Sequence, residues 1–180
     1  MNFNNRLGQI TKSNIMSYYI IIRGPLGCGK STVAEKLAQK LSAEYVGVDE
    51  VLEKHGLDKV PPNAPCIPAE NFIKANEIII PSVREILSGG KIVIFDANFY
   101  HKEAIVHLIH NLQFQHYVFT LKAPLEVCIE RDRQRAKTYG EDSARAVFGL
   151  VSRLDYGTNI DISRSLDEAI DEILSYLPKP

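Results

Sequence analysis

Eight consecutive residues match the pattern G-x-x-x-x-G-K-[ST], which is typical of a loop that binds the phosphates of a nucleoside triphosphate. They are Gly24, Pro25, Leu26, Gly27, Cys28, Gly29, Lys30 and Ser31. In such a loop the backbone N–H groups bind phosphate oxygens, and glycines let the backbone approach them closely. We expect Lys30 to reach the β- and γ-phosphates, the Ser31 hydroxyl to bind Mg²⁺, and Thr32 to lie near the α-phosphate.

Two carboxylates lie where apolar runs end. Asp49 follows residues 45–48 and Asp96 follows residues 92–95, and ligands of open parallel sheets bind at the carboxyl ends of the strands. Phosphoryl transfer needs a carboxylate that accepts the proton of the acceptor hydroxyl or holds the water of a metal ion. We predict Asp49 as the catalytic residue on the acceptor side, with Glu50 as a weaker alternative, and Asp96 as a residue that binds Mg²⁺ through water. Either aspartate could instead cap the turn or helix that follows its strand.

Three arginines lie within residues 125–136, namely Arg131, Arg133 and Arg135. An apolar stripe in this segment predicts a helix, on which Arg131 and Arg135 are four residues apart and share a face. Two guanidinium groups there could clamp the phosphates during transfer, so both are predicted as catalytic residues. The alternative is a solvated helix face on which the arginines pair with Glu130 and Asp132.

Polar residues interrupt the helical pattern after these arginines, and they predict a small helical lid over about residues 131–145. A further helix is expected beyond this interruption, with Asp142 or Ser143 as its N-cap. Its polar margin would carry Arg145 and Arg153.

Four apolar runs predict parallel strands, and the first run is typical of a strand that is buried on both faces. They cover residues 18–22, 45–48, 91–95 and 116–121. Helical patterns separate them, and this alternation is typical of a parallel sheet covered by helices. The last helical pattern, over residues 166–177, has an apolar stripe that would pack on the sheet. The predicted fold class is therefore α/β.

The connection between the second and third runs contains a proline-rich segment, residues 60–68. It is either a loop over a binding site or a stiff surface connection. In the helix predicted after it, Pro81 should produce a kink or a split. Gly89 and Gly90 should end that helix.

The chain has 180 residues, of which 45% are hydrophobic, as expected for one globular domain. We expect a flexible N-terminal extension over residues 1–17, followed by the domain over residues 18–180. The formal net charge of −1 disfavours extended nucleic-acid binding, which normally needs clustered basic residues. No apolar stretch is long enough for a membrane span, and residues 1–17 lack the apolar centre of a secretion signal. A cytoplasmic protein without membrane contact is expected.

Cysteine and histidine positions suggest neither disulfides nor zinc. Cys28, Cys66 and Cys128 are scattered without C-x-x-C spacing, which favours reduced thiols. Cys28 could have a lowered pKa because it lies in a loop of amide donors. His107 and His110 are three residues apart, a weak indication of a metal site without a third ligand.

The chain resembles the small P-loop kinases of the group of predicted ATP-dependent kinases. The segments that carry the resemblance are the glycine loop, Asp49, Asp96-Ala97-Asn98 and residues 121–131. That group contains domains of the polynucleotide-kinase and chloramphenicol-phosphotransferase type and neighbours the nucleoside monophosphate kinases. The resemblance implies a three-layer P-loop NTPase fold with a five-stranded parallel sheet between helices, and it implies ATP with Mg²⁺. It also implies an acidic residue matching Asp49 near the acceptor and lid arginines matching Arg131 and Arg135. No segment like the FPR motif of adenylate kinases follows the third predicted strand.

We therefore expect a kinase that transfers the γ-phosphoryl group of ATP to a small-molecule or nucleotide-like acceptor. A divergent nucleoside monophosphate kinase is the alternative within the same class. A nucleotide-dependent switch is the alternative of another class, although no N-K-x-D motif is present and no Asp is followed by Gly three residues later. The identity of the acceptor stays open, as does the choice between monomer and homodimer.

Overall fold

The structure is a computed structural model that describes residues 17–136 and 138–179. Within these ranges five strands form one sheet in the order β2-β3-β1-β4-β5, and all neighbouring strands are parallel. The strands are β1 (Tyr18–Arg23), β2 (Glu44–Gly47), β3 (Val93–Ala97), β4 (Gln115–Lys122) and β5 (Thr158–Asp161). The helices are α1 (Lys30–Leu41), α2 (Val48–Lys54), α3 (Ala69–Ser88), α4 (Lys102–Leu112), α5 (Leu125–Arg133), α6 (Glu141–Arg153) and α7 (Leu166–Ser175).

Both faces of the sheet are buried, which makes three layers. In β1, Tyr19 and Ile21 contribute to one core, while Ile20 and Ile22 contribute to the other, because successive side chains of a strand point to opposite faces. Helices α2, α3, α4 and α6 cover the first face, and α1, α5 and α7 cover the second. The predicted α/β fold with a five-stranded parallel sheet is confirmed.

The four strands predicted from apolar runs are present with shifted ends. The second ends at Gly47, so that Val48 begins α2, and the third continues through Asp96 to Ala97. The fifth strand, β5, could not be located from the sequence, because only Ile160 among its four residues is apolar and buried.

Helix α3 contains Pro81 and yet runs without a break over 20 residues. The interpretation that Pro81 splits the helix is therefore wrong. Proline removes one backbone hydrogen bond, and the buried side chains of Ile79, Ile80 and Val83 hold the flanking turns against the sheet. The helix ends at Ser88, before the two glycines, as predicted.

The connection from α5 to α6 differs from the prediction at its N-cap. Gly140 occupies the N-cap position of α6, so neither Asp142 nor Ser143 does. The buried carboxylate of Asp132 holds the connection instead, because its Oδ2 accepts hydrogen bonds from Thr138 Oγ1 and from the backbone N–H groups of Tyr139 and Gly140. Asp132 is 1% exposed, so it does not belong to a solvated face.

A fully buried arginine connects β1 to α6. Arg23 donates from Nε to the Phe99 carbonyl (3.1 Å), from Nη1 to Thr120 Oγ1 (2.8 Å) and the Leu154 carbonyl (3.0 Å), and from Nη2 to the Val151 carbonyl (3.3 Å). Burial lowers its pKa to about 10, so the group stays charged at neutral pH. A cation is favourable at the C-terminus of a helix, where carbonyl groups are left over. Arg23 thus fixes the position of α6.

We expect Arg23→Met to lower the free energy of unfolding by about 2–3 kcal/mol, because several buried hydrogen-bond acceptors lose their donor while the volume of the side chain changes little. Urea denaturation monitored by circular dichroism measures this quantity. Arg153→Met, at an exposed position of α6, is the matched control and should leave the free energy of unfolding nearly unchanged. Equal effects of the two substitutions would contradict the structural role of Arg23.

The described part of the chain contains no helix long and apolar enough to cross a membrane. The predicted N-terminal extension lies outside the described residues, apart from Ser17.

Candidate active site

The glycine loop joins β1 to α1 at the carboxyl end of the central strand. Gly27 and Gly29 have φ angles of 74° and 102°, in the left-handed region that glycine adopts without strain. Gly29 is the N-cap of α1, and among the described residues no side chain caps this helix and no acidic residue lies in its first turn. The first N–H groups of α1 are therefore available to an anion.

Lys30 is the first residue of α1, and its side chain folds back over the loop. Its Nζ donates a hydrogen bond to the Pro25 carbonyl at 3.0 Å, and the residue is 5% exposed. Ser31 is half-buried and Thr32 is exposed in the same helical turn. The predicted phosphate-binding residues therefore surround one helix N-terminus.

Helix α5 lies against this loop. Arg131 donates from Nη1 to the Cys28 carbonyl at 3.0 Å. A cavity of about 190 Å³ opens beside this contact. Its lining residues are Cys28, Gly29, Thr32, Val33, Arg131, Ile162, Arg164 and Leu166.

The three arginines of the α5 segment have different surroundings. Arg131 contacts the loop, whereas exposed Arg133 pairs with Glu141 at 2.6 Å and with Glu130 at 3.9 Å. For Arg133, the alternative interpretation therefore holds, in which an arginine on a solvated helix face pairs with acidic residues. Arg135 lies beyond the end of α5, so the predicted shared helix face with Arg131 is wrong. The Arg135 charge nevertheless acts on the carboxyl group of Asp49.

The expected lowering of the Cys28 pKa is wrong. The thiol is fully buried, and burial raises its pKa although the charges of Lys30 and Arg131 act in the opposite direction. Cys66 and Cys128 are also buried, and no disulfide joins the three cysteines.

Asp49 is the second residue of α2 and lies near the glycine loop. Its Oδ2 accepts a hydrogen bond from Asn98 Nδ2 at 3.2 Å. Burial, the largest cause, and the nearby Asp96 carboxylate raise the pKa of Asp49, whereas the charges of Lys30 and Arg135 and a hydrogen bond from the Asn98 backbone lower it. The net result is a pKa of about 6. Asp49 is therefore ionised at neutral pH and able to take up a proton slightly below it.

Asp96 is buried within β3, opposite Gly47 of β2. Its Oδ2 accepts a hydrogen bond from the Tyr45 hydroxyl at 2.9 Å. Its Oδ1 has no hydrogen-bond partner within residues 17–136 and 138–179. Over the same ranges, no group of three or more His, Cys, Asp or Glu side chains could hold a metal ion.

A larger cavity, of about 250 Å³, lies on the Asp49 side of the loop. The glycine loop, α2, residues 58–67, the segment after β3 and the start of α6 form its walls. The lining residues are Leu26, Asp49, Leu52, Glu53, Asp58, Val60, Pro65, Cys66, Ile67, Asn98, Tyr100, Tyr139, Ser143, Ala146 and Val147.

The proline-rich segment, residues 60–68, is a wall of this cavity. Its Ile67 N–H donates to the Tyr100 hydroxyl at 3.2 Å, and Nε2 of His101 lies 2.8 Å from the Ile67 carbonyl. Of the two interpretations left open by the sequence, the geometry favours the loop over a binding site.

A family model described as an AAA domain (AAA_33) matches residues 20–151, most of the chain. The chain belongs to this family. It is similar to the shikimate kinase of Actinobacillus succinogenes, with 26% identity over 164 residues that cover 87% of this chain and 90% of the relative.

Two solved structures that share this fold are named as kinases. One is an unliganded sugar kinase from a Janibacter species, with a TM-score of 0.70, 15% identity, and coverage of 89% of this chain and 94% of the other. Another is the APS kinase CysC of Mycobacterium tuberculosis in complex with AMPPNP and APS, with a TM-score of 0.63, 19% identity, and coverage of 89% and 96%. The resemblance to the small P-loop kinases, predicted from the sequence, is confirmed.

Two lining residues had not been singled out as site residues. Asn98 contacts Asp49, and Tyr100 holds the proline-rich wall. Both follow the strand that carries Asp96, at the sheet edge where ligands of parallel sheets bind. Because both residues follow Asp96 closely in the sequence, this short separation could have indicated them as site residues.

Gly27→Ala is expected to weaken ATP binding much more than Gly29→Ala. A Cβ atom at Gly27 would lie 2.0 Å from the Cys128 carbonyl oxygen, whereas at Gly29 the nearest atom is Arg131 Nη1 at 3.7 Å. Both positions have positive φ, so Gly29→Ala controls for backbone strain alone. Titration calorimetry with a non-hydrolysable ATP analogue measures the difference. Similar affinities of the two variants would contradict the close packing of α5 on the loop.

Proposed function

We propose that this protein is an ATP-dependent kinase that transfers the γ-phosphoryl group to a hydroxyl group of a small molecule. The observation that carries the proposal is the position of Asp49, which lines the larger cavity and lies within electrostatic reach of Lys30 in the glycine loop. A hydroxyl group bound in the cavity would meet a base and a phosphoryl donor at one place, as phosphoryl transfer requires.

On the donor side, the N–H groups of the loop and of the first turn of α1 would bind the phosphates. Lys30 would exchange the Pro25 carbonyl for the β- and γ-phosphates, since a charged acceptor binds an ammonium group more strongly than a carbonyl does. Arg131 lines the smaller cavity, which would receive the nucleoside. Arg135 would add positive charge near the transferred group.

Ser31 and Asp96 would hold Mg²⁺ beside these phosphates. Hydroxyl and carboxylate oxygens are the ligands that Mg²⁺ prefers, and it usually keeps water and substrate phosphates as its other ligands. The buried Oδ1 of Asp96, unpartnered among the described residues, fits this role. When bound, the ion would neutralise charge on the β- and γ-phosphates.

In the transfer, the acceptor oxygen forms a bond to the γ-phosphorus. The bond from that phosphorus to the oxygen bridging to the β-phosphate breaks, and ADP leaves with the bridging oxygen. The hydroxyl proton passes to Asp49 and from there to water. A base with a pKa of about 6 suits this step. It is ionised at neutral pH, and its pKa is close enough to the working pH for it to accept the hydroxyl proton.

Two comparisons support a small-molecule acceptor, because the similar proteins are a shikimate kinase and a sugar kinase. The same proposal includes the cytoplasm as location, since the described residues contain three buried free cysteines and no disulfide.

Nucleotide specificity distinguishes the proposed kinase function from the alternative of a nucleotide-dependent switch. Calorimetry with ATP and GTP, followed by ADP release with and without hydroxyl compounds, should show ATP binding and turnover that rises with an acceptor. Tight GTP binding without ATP binding would favour the switch. A nucleoside monophosphate as the best acceptor would favour the alternative kinase.

A further inference from the structure

We infer that Asn98 is a positioning residue, which holds the carboxylate of Asp49 in the orientation needed to take the proton of the acceptor hydroxyl. This role rests on the proposed kinase function and adds a second residue to the acceptor side of the same site. Asn98 directly follows β3, Asp49 lies in α2, and both line the larger cavity. Their side chains meet although the two residues are 49 positions apart in the chain.

Asn98 provides two hydrogen-bond donors to Asp49. Its side-chain Nδ2 lies 3.2 Å from Asp49 Oδ2, and the residue is only 8% exposed. A hydrogen bond from the Asn98 backbone also acts on the Asp49 carboxyl group. Two donors from one residue restrict the rotation of the carboxylate and favour its ionised form, which is the form that can accept a proton. An amide side chain does not itself exchange a proton near neutral pH, so Asn98 acts through Asp49.

The backbone that follows Asn98 is held in a strained conformation. Phe99 has a φ angle of 38°, in the left-handed region that is unfavourable for a bulky residue. Such a conformation persists only where the surrounding structure enforces it. The Phe99 side chain is fully buried, and its carbonyl accepts a hydrogen bond from Arg23 Nε at 3.1 Å. Buried contacts therefore fix the direction in which the chain leaves β3, and with it the position of Asn98.

The next two residues of this segment hold another wall of the cavity. The Tyr100 hydroxyl accepts a hydrogen bond from the Ile67 N–H, and Nε2 of His101 lies 2.8 Å from the Ile67 carbonyl. One short segment after β3 thus sets the base and the proline-rich wall relative to each other. An acceptor that contacts this wall would meet a base that is already oriented, as efficient proton transfer requires.

A second buried asparagine provides a matched control for Asn98→Ala. Asn76 is fully buried in α3, and its Nδ2 donates a hydrogen bond to the Ala104 carbonyl at 2.8 Å. Its Oδ1, like that of Asn98, has no hydrogen-bond partner among the described residues. Asn76 is not among the described residues that line the larger cavity. Asn76→Ala therefore removes the same amide group from a buried place that does not involve Asp49.

The assay uses ATP, Mg²⁺ and a set of small hydroxyl compounds that includes sugars and shikimate, and the compound that most raises ADP formation by the wild type serves as acceptor. We expect Asn98→Ala to lower kcat by about 10–100-fold, as for a misplaced reacting group, while calorimetry shows unchanged ATP affinity. Asn98→Asp keeps the shape of the side chain but loses the Nδ2 donor, so it should lose at least as much activity. Asn76→Ala should keep kcat near the wild-type value.

A double-mutant cycle with Asp49→Asn distinguishes positioning from a merely structural role. In the Asp49→Asn background, Asn98→Ala should lower kcat little further, because residues that act as a unit are not additive. Equal fold losses in the two backgrounds, an unchanged kcat in Asn98→Ala, or a similar loss in Asn76→Ala would overturn the role of Asn98 and leave the kinase function standing. If no compound raises ADP formation by the wild type, despite intact ATP binding, the kinase function and the role of Asn98 fail together.

Discussion

Lys30→Ala is expected to lower kcat/KM for phosphoryl transfer by about 10²–10³-fold, because it removes a preorganised positive charge from the group that gains negative charge in the transition state. Lys30 is nearly buried at the N-terminus of α1, and its ammonium group already lies within the loop. Coupled-enzyme detection of ADP measures the change, with saturating ATP used to separate binding from transfer.

Lys40→Ala is the matched control, since Lys40 lies in the last turn of the same helix and is exposed. It should retain nearly the wild-type rate. Because Lys30→Ala also removes a hydrogen bond to Pro25, both variants need a denaturation curve at the assay temperature. Near-normal turnover of a folded Lys30→Ala protein would contradict the assignment of the loop to the phosphoryl donor.

Asp49→Asn is expected to lower the transfer rate by about 10²–10⁴-fold, the range typical of losing a general base. ATP affinity should change little, because Asp49 lines the larger cavity and is absent from the described lining of the smaller one. Glu50→Gln, at the neighbouring exposed position, tests the weaker alternative and should have a small effect. Equal losses of ATP binding and of transfer rate in Asp49→Asn would make its role structural.

The pH profile gives Asp49 a second signature. The active form is the ionised one, so kcat/KM of the wild type should fall as the pH drops through about 6. This acid limb should be missing from the residual activity of Asp49→Asn. An unchanged limb in the variant would assign the titration to another group.

The stability of the same variant should move in the opposite direction to its activity. The folded pKa of Asp49 is raised from 3.8 to about 6, so its contribution to stability is complete below pH 3.8 and is lost as the pH rises through about 6. At pH 8, Asp49→Asn is therefore expected to raise the free energy of unfolding by roughly 1–3 kcal/mol. A destabilised variant at this pH would contradict the cost assigned to the buried carboxylate.

Local patterns made the position of the glycine loop between a strand and a helix predictable from the sequence. The glycine loop needs only eight adjacent residues, and the apolar runs before and after it indicated the strand and the helix that position it. Asp49 and Asp96 were predictable because strand ends in a parallel sheet meet at one edge. The structure brings Asp49, Asp96 and Lys30 together, since the charges of Asp96 and Lys30 both act on the Asp49 carboxyl group.

Contacts between distant parts of the chain were not predictable in this way. In the sequence, Arg23 is a polar residue that follows an apolar run. Its hydrogen-bond partners lie 76 to 131 residues further along the chain, so only the fold shows that it is buried. One of the two interpretations left open placed Asp132 on a solvated face, because its hydrogen bonds to residues 138–140 depend on how the chain turns after α5. The cavity walls likewise combine residues from separate segments, so the set of residues that lines the cavity was not visible along the sequence.

Transfer of label from [γ-³²P]ATP tests the kinase function most directly. The protein is incubated with labelled ATP, Mg²⁺ and one of a set of small hydroxyl compounds that includes sugars and shikimate, and the products are separated by thin-layer chromatography. We predict that the label appears in a phosphate monoester of the acceptor in equal amount to the ADP formed, and that Asp49→Asn lowers the rate at which this product forms by about 10²–10⁴-fold. Label found only in inorganic phosphate, at a rate that no hydroxyl compound raises, would contradict the proposal.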